Sequence, residues 1–170
     1  MFHAFRWPGF QRRYPVTSEI PTLRSAVVTD AGAIRALSRA AYARWVPLIG
    51  REPWPMTADY AEALRKGHRI GLLHQGDVLA GLVEMILEPD HLMIENVAVL
   101  PAHQGQGLGR FLVAHAEAVA RAEGYGQVRL YTNQRFAENI HLYRRLGYEV
   151  EREETWTGGV IVHMRKPLEG

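Results

Sequence analysis

The sequence is 170 residues long, which is about the length of one domain and leaves little room for a second. Hydrophobic residues make up 47% and charged residues 22%, a balance that is ordinary for a soluble globular protein and excludes a disordered or fibrous chain. Lys and Arg number 20 against 18 Asp and Glu, and the resulting net charge of +2 argues against a dedicated nucleic-acid-binding protein.

The N-terminal part of the chain predicts an arm, a strand and a helix. Residues 1–20 are rich in Arg and aromatic side chains and show no periodicity, so we predict an arm that precedes a single domain over residues 21–170. Residues 22–26 alternate in the manner of a short strand. Asp30 is a suitable N-cap for an Ala-rich helix that ends near Arg44.

A loop, a second helix and a hairpin follow. Residues 45–56 are interrupted by Pro and Gly and are predicted to be irregular. Thr57 is a suitable cap for a helix that ends near Lys66. Two apolar runs, over residues 69–74 and 78–87, are joined by Gln75-Gly76-Asp77, which indicates a β-hairpin.

The C-terminal half alternates strands and helices. In order, it predicts a strand over residues 91–100, a helix over 107–123, a strand over 127–132, a helix over 137–146 and a hairpin of strands over 148–156 and 160–166. The complete order, β-α-α-β-β-β-α-β-α-β-β, predicts a mixed α/β (α+β) domain without internal repeats.

The predicted strand over residues 91–100 has one unusual side chain. Strict alternation puts Leu92, Ile94, Asn96 and Ala98 on one face and Met93, Glu95, Val97 and Val99 on the other. Both faces are mainly apolar, as in a central strand that is covered on both sides. A carboxylate in such a strand is costly unless it is paired, hydrated or used, so Glu95 is a candidate functional residue.

A glycine cluster lies between this strand and the helix that follows it. The segment reads Gln104-Gly105-Gln106-Gly107-Leu108-Gly109-Arg110. Glycines let backbone N–H groups point outward, and a helix N-terminus adds unpaired donors, so the segment suits a phosphate or pyrophosphate. Arg110 and Phe111 stand where a P-loop needs Lys and Ser/Thr, and the sixth position counted from Gly105 is Arg rather than the Gly of a dinucleotide fingerprint.

The spacing of this cluster resembles a known family. Gln104-x-x-Gly107-x-Gly109 is similar to the acetyl-CoA site of the GCN5-related N-acetyltransferases (GNAT), and the stretch 142–148, Leu-Tyr-Arg-Arg-Leu-Gly-Tyr, resembles that family's Leu-Tyr-x-x-x-Gly-Phe/Tyr. The order of elements between residues 23 and 166 also matches. The resemblance implies a single domain with a central, mixed but mostly antiparallel sheet of about six or seven strands and about four flanking helices.

The resemblance also implies a donor site. In the family, the fourth strand binds the pantetheine arm of acetyl-CoA through its backbone, and the glycine loop takes the pyrophosphate. Carried over to this sequence, the pantetheine-binding residues are Val97, Ala98 and Val99, and the pyrophosphate-binding residues are Gln104, Gly105, Gln106, Gly107, Leu108, Gly109 and Arg110. Asn139 shares a helix face with Tyr143 and is a further candidate contact to the pantetheine, although many relatives carry Asn where this chain has Phe136.

Two residues match the family's catalytic positions. Tyr143 corresponds to the general acid that protonates the departing CoA thiolate, and an ordinary phenol is protonated at neutral pH. Glu95 matches an acidic position found in several relatives and is our candidate to accept the proton of the amine, directly or through water, with Glu84 on the preceding strand as the alternative. The implied activity is the transfer of an acetyl group to an unidentified primary amine by direct attack on the thioester.

Other features limit the alternatives. The absence of cysteine excludes an acyl-cysteine route, and the eight His residues show no metal-binding spacing, so no metal is expected. No transmembrane segment or signal peptide is recognisable, which predicts a cytoplasmic protein that acts on neither membranes nor nucleic acids. The two Trp of residues 45–56 are equally suited to wall an acceptor pocket or to pack on the sheet. A CoA-binding sensor without turnover is the alternative function, and the resemblance makes a homodimer possible.

Overall fold

The computed structural model describes residues 20–169, so the predicted arm over residues 1–20 lies outside the described residues except for Ile20. The described part forms one seven-stranded sheet with helices on both faces, which confirms the predicted mixed α/β fold. The strands are β1 (Thr22–Ser25), β2 (Arg69–Gln75), β3 (Val78–Leu87), β4 (Leu92–Val99), β5 (Gln127–Asn133), β6 (Glu149–Trp156) and β7 (Gly159–Pro167).

Four helices are six residues long or more, as the prediction of about four implies. They are α1 (Ala31–Tyr42), α4 (Tyr60–Arg65), α5 (Leu108–Ala122) and α6 (Ala137–Arg145). Two single turns, α2 (Val46–Ile49) and α3 (Trp54–Thr57), lie within the segment predicted as a loop. The prediction that Thr57 caps the second helix is wrong: Thr57 ends α3, and the side chain of Asp59 accepts the backbone N–H of Glu62 at the start of α4.

The sheet has one parallel pair, and that pair is short. The strand order is β1-β2-β3-β4-β5-β7-β6, and every pairing except β4 with β5 is antiparallel. β4 and β5 pair only where Leu92–Ile94 face Val128–Leu130. Beyond Ile94 the two strands diverge, which leaves the backbone of β4 towards its C-terminal end open on that side.

A β-bulge at Glu95 changes the two faces of β4. Glu84 of β3 pairs with Asn96, whereas the next residue, Met85, pairs with Ile94, so Glu95 is an extra residue without a partner on β3. The prediction of strict alternation along β4 is therefore wrong beyond Ile94. Leu92 and Ile94 share the α5 side of the sheet with Val97 and Val99, while Ala98 packs on the α1 side.

The hydrophobic core has two layers, one on each face of the sheet. Leu108, Leu112 and Ala116 of α5 are fully buried against β3, β4 and β5. Ile34 and Leu37 of α1 are buried on the opposite face. Because the two layers hold β4 from both sides, the opening between β4 and β5 sits in a rigid frame rather than in a loop.

An ion pair directly before the N-terminus of α1 stabilises this end of the helix, and we expect its contribution to depend on pH. Asp30 accepts two hydrogen bonds from the guanidinium of Arg24, at 2.8 and 2.9 Å, and a third from the backbone N–H of Val27. The contact with Arg24 lowers the pKa of Asp30 from 3.8 to about 2. A carboxyl whose pKa is lowered by folding stabilises the protein above its unfolded pKa and loses that contribution as the pH falls through its folded pKa.

We expect Asp30→Asn to lower the free energy of unfolding by about 1 kcal/mol at pH 7, a value reduced for the solvent exposure of the pair. The difference from the wild type should shrink as the pH falls from about 4 towards 2, measured by urea unfolding at each pH. Asp77→Asn, in the exposed turn between β2 and β3, is the control and should change little. A difference that does not vary with pH would contradict the assignment.

Candidate active site

The divergence of β4 and β5 opens a groove of about 800 Å³. It is lined by the predicted backbone positions of β4, by the glycine loop and by one face of α6. Of the predicted donor-site residues it includes Val97, Ala98, Val99, Gln104, Gly105, Gly107, Leu108, Gly109, Arg110 and Asn139. Gln106 is the one predicted residue that does not line the groove as the described residues define it.

The glycine loop leads into α5 through two residues with left-handed backbone. Gly105 has a φ of 77° and Gly107, the residue before α5, a φ of 81°. Both values lie in the left-handed region, where glycine is favoured because it lacks a Cβ. Leu108, Gly109 and the exposed Arg110, which form the first turn of α5, line the groove, and the N–H groups of a first turn lack intrahelical acceptors, so this is a suitable place for a diphosphate.

Two side chains fasten this loop to the sheet. The amide Nε2 of Gln104 donates a hydrogen bond of 3.0 Å to the carbonyl oxygen of Val99. The Nδ1 atom of His103 lies 2.6 Å from Oε1 of Gln75 on β2. Since the side chain of Gln104 is engaged with β4, its structural effect is to fix the position of the loop, while its backbone remains at the groove.

A second cavity, of about 250 Å³, meets the groove at its inner end. Four residues line both spaces: Tyr42, Val97, Asn139 and Tyr143. Residues from β5, the hairpin of β6 and β7 and the segment around α3 form the other walls of the smaller cavity. The groove and the smaller cavity therefore join at these four residues, and we call this place the junction. Tyr143 and Val97 lie beside it.

Tyr143 projects from α6 to the junction and is only 8% exposed. Its ring packs edge-on against Tyr148, with 6.0 Å between ring centroids. Burial raises the pKa of Tyr143 to about 12, because the phenolate is poorly solvated there. Its hydroxyl therefore stays protonated throughout the neutral and mildly alkaline range.

Glu95 lies on the wall of the smaller cavity, on the bulge of β4. The hydroxyl of Tyr131 on β5 donates a hydrogen bond of 2.6 Å to Oε1 of Glu95. Burial, and then the neighbouring carboxylate, raise the pKa of Tyr131, so this phenol remains a donor. The pair orients one carboxylate oxygen and leaves the other available.

Glu84, the alternative base, has a different environment. It is 4% exposed, on β3, and lines neither of the two spaces as the described residues define them. Burial raises its pKa, and the Nδ1 atom of His68, 2.7 Å from Oε1, opposes that shift. The structure thus brings Glu95, and not Glu84, to the cavity wall that also holds Tyr143.

A buried polar network beneath β4 was not predicted from the sequence. The hydroxyl of Tyr42 donates to Oδ1 of Asn96 at 2.8 Å, and Nδ2 of Asn96 approaches the hydroxyls of Tyr60 and Ser38 at 3.2 and 3.3 Å. Tyr60 in turn donates to the carbonyl of Pro55 at 2.6 Å. The network holds Tyr42 at the junction and ties the segment around α3 to the central strand.

The two Trp of the segment 45–56 have different surroundings. Trp54 lines the smaller cavity and is 62% exposed. Trp45 lines the larger groove and stacks on Phe136, with 4.5 Å between centroids and an interplanar angle of 26°. Both Trp therefore line a cavity, and Trp45 in addition packs on Phe136 at the start of α6 rather than on the sheet.

Sequence reasoning missed several residues of the smaller cavity. Tyr131, Arg51 and Trp156 line it, and they come from β5, from the segment between α2 and α3, and from the end of β6. Only the composition of the segment 45–56, with its Trp and Pro, gave any signal. Within residues 20–169 no cluster of His, Asp and Glu is arranged to hold a metal, and none of the described helices is long and apolar enough to span a membrane.

Comparisons with known proteins relate this chain to one family. The sequence model of the Acetyltransferase (GNAT) family matches residues 34–148, more than half of the chain. Streptothricin acetyltransferase from Streptomyces lavendulae is 44% identical over 57 residues, which cover 34% of this chain and 30% of that protein. The chain spans less than half the length of the curated relatives it matches.

Two solved structures share the fold. The ribosomal-protein-S18-alanine N-acetyltransferase from Escherichia coli is 25% identical, with a TM-score of 0.72 over 89% of this chain and 97% of that one. The PaiA N-acetyltransferase from Thermoplasma acidophilum, solved in complex with coenzyme A, is 15% identical, with a TM-score of 0.73 over 88% of this chain and 99% of that one.

The glycine loop yields a test with a matched control. We expect Gly105→Ala to raise the Kd for CoA on the order of tenfold, because a Cβ at a φ of 77° is strained by about 1–2 kcal/mol and displaces the loop. Gly124→Ala has the same kind of strain, at a φ of 83°, with open space around the new Cβ in both cases. It lies beyond the far end of α5 and should leave the calorimetric Kd unchanged. Equal effects of the two variants would show that the loop has no special part in binding.

Proposed function

The chain belongs to the GNAT family of acetyltransferases, and on that premise we propose that it transfers the acetyl group of acetyl-CoA to a primary amine by direct attack on the thioester. The observation that carries the proposal is the junction of the two openings. A donor that enters through the larger groove and an amine that enters through the smaller cavity meet beside Tyr143. The acetyl group moves without a covalent enzyme intermediate, and the sequence contains no cysteine to form one.

The donor half of the site fits acetyl-CoA in three ways. The open edge of β4 presents backbone groups that can pair with the amides of an extended pantetheine arm. The glycine loop and the N-terminus of α5, which line the groove, suit the diphosphate. The groove, at about 800 Å³, has room for an elongated co-substrate.

In the proposed reaction, the amine nitrogen forms a bond to the acetyl carbonyl carbon, and the bond from that carbon to sulfur breaks. The amine loses a proton to Glu95, directly or through water. The departing thiolate gains a proton from Tyr143. The proposal is supported by two groups on the wall of the smaller cavity that suit opposite tasks: a carboxylate oriented by Tyr131, and a phenol kept protonated by burial.

The role of Tyr143 can be tested by removing one hydroxyl. We expect Tyr143→Phe to lower kcat about 100-fold, since a positioned general acid contributes roughly that much or more, while the Kd for CoA changes little. The wild-type kcat should not decline between pH 8 and pH 10 through loss of this proton, because the pKa of Tyr143 is raised to about 12. Tyr125→Phe, on the short link between α5 and β5, is the control and should retain activity. An unchanged kcat in Tyr143→Phe contradicts the assignment.

The choice of base can be decided by a pair of isosteric variants. We expect Glu95→Gln to lower kcat on the order of 100-fold at pH 7 with CoA binding retained. Glu84→Gln should mainly alter stability, since Glu84 is buried against His68, away from the cavity wall. A loss of kcat in Glu84→Gln alone would make Glu84 the base, and full activity of both variants would leave water as the proton acceptor.

The first experiment is a calorimetric titration with acetyl-CoA, CoA and NADH, followed by an assay of thiol release with a panel of amines. We expect acetyl-CoA and CoA to bind saturably, NADH not to bind, and thiol release to depend on the amine. Binding without turnover over the whole panel would favour the alternative of a CoA-binding sensor. Failure to bind either CoA species would overturn the proposal.

The relatives do not identify the acceptor. Their names refer to streptothricin in one case and to an alanine of a ribosomal protein in another. The other expectations, a domain over residues 21–170, a cytoplasmic location, a possible homodimer and a reaction without a metal, also remain proposals for this chain.

A further inference from the structure

Two charged side chains of residues 20–169, one positive and one negative, line the smaller cavity. Among the described residues that line it, Glu95 and Arg51 are the charged ones, and the remaining walls are aromatic, aliphatic, amide or hydroxyl groups. Glu95 already has a place in the proposed reaction, whereas Arg51 has none. Since an unpaired charge at a cavity wall is costly unless a partner reaches it, Arg51 calls for an explanation.

Arg51 has no carboxylate partner among the described residues. Its Nη1 atom donates one long hydrogen bond, 3.4 Å, to the backbone oxygen of Glu52, and its Nε is buried without an acceptor. The carboxylate of Glu52 is bound instead by Arg39, at 2.7 Å. Two other arginines of this part of the chain, Arg24 and Arg44, also have carboxylate partners. Arg51 therefore retains donors that no acceptor among residues 20–169 satisfies.

The guanidinium of Arg51 is held in position from one side. Its central carbon lies 4.5 Å from the ring centroid of Trp156, in a cation–π contact. The turn between β6 and β7 closes over this pair at Gly158. A Cβ at that position would approach the Trp156 ring to 2.4 Å and Nε of Arg51 to 2.9 Å, so the turn requires a glycine there. The cation is thus prepositioned, which reduces the entropy lost when an anion binds.

We propose, on the basis of the acetyl transfer argued above, that the acceptor is a small amine that also carries a carboxylate, that is, an amino acid. Arg51 binds the carboxylate in the bidentate geometry that guanidinium and carboxylate share. The amine then points to the junction beside Glu95 and Tyr143, and the apolar walls contact the carbon skeleton. A cavity of about 250 Å³ lies below the size usual for drug-sized ligands and suits such a molecule.

The positive charge of Arg51 disfavours the binding of amines that lack a carboxylate. A polyamine brings a second ammonium group into the cavity, where Arg51 repels it. A neutral amine leaves the donors of Arg51 without an acceptor in a partly desolvated place. Selectivity for a carboxylate therefore follows from both attraction and repulsion at one residue.

The test uses acceptors that differ only in the carboxylate. L-leucine is compared with leucinamide and isoamylamine, and L-phenylalanine with its amide and 2-phenylethylamine, with the other common amino acids, ω-amino acids and spermidine completing the panel. Thiol release gives kcat/KM for each, and calorimetry on CoA-saturated protein gives the Kd of each acceptor. We expect the carboxylate form to be favoured by on the order of 10- to 100-fold, as for a hydrogen bond to a charged group.

Variants assign the effect to one side chain. Arg51→Gln should remove the preference by raising KM and Kd for amino acids and by raising kcat/KM for the neutral amines and for spermidine, which the charge of Arg51 disfavours, while the Kd for CoA is retained. Arg51→Lys should retain part of it, since the charge remains without the fork of donors. Arg152→Gln, on the exposed strand β6 and paired with Glu154, is the control and should behave as the wild type.

The outcomes separate this inference from the proposed function. Equal kcat/KM for acids, amides and polyamines, or an Arg51→Gln variant that affects all of them alike, overturns the carboxylate assignment and leaves acetyl transfer intact. Amino acids that neither react nor bind to the CoA complex also overturn it. Failure of acetyl-CoA itself to bind overturns the proposed function instead.

Discussion

The limited pairing of β4 with β5 is the constraint on which the site depends. Three residues of each strand pair in parallel, and beyond Ile94 the strands separate. The separation opens a gap between two central strands of the sheet. One core layer, with α5, covers one face of the sheet, and the other, with α1, covers the opposite face. The proposed meeting of donor and acceptor depends on this opening, because both spaces share Tyr42, Val97, Asn139 and Tyr143.

The bulge at Glu95 determines which side chains face that opening. By adding one residue to β4, it brings Asn96 into the polar network with Tyr42, Tyr60 and Ser38. It also places Glu95 at the cavity wall, where Tyr131 of the separated strand still reaches it. A strand that alternated without interruption would point these polar groups differently, and the buried amide of Asn96 would lack its partners.

The charges around the opening are few and differ in their surroundings. The glycine loop and Arg110 present positive potential at the groove, whereas the smaller cavity is lined by a protonated phenol, Tyr143, and a carboxylate, Glu95. At the far end of the smaller cavity, Arg51 lies over Trp156. In the reaction and acceptor class proposed above, these groups would receive the donor diphosphate, the thioester, the amine and a carboxylate in that order.

The sequence by itself determined the α/β class, the order of the main elements and the glycine loop that lines the larger groove, because these depend on local patterns: hydrophobic periodicity, glycines before a helix, and a motif of contiguous residues. Tyr143 and Glu95 could also be named as candidates from the sequence, because they belong to such motifs. The tertiary structure alone decided the phase of β4 beyond its bulge and the walls of the smaller cavity. Arg51, Tyr131 and Trp156 are far apart in sequence, and only the packing of β5, the β6–β7 hairpin and the α2–α3 segment around one opening brings them together.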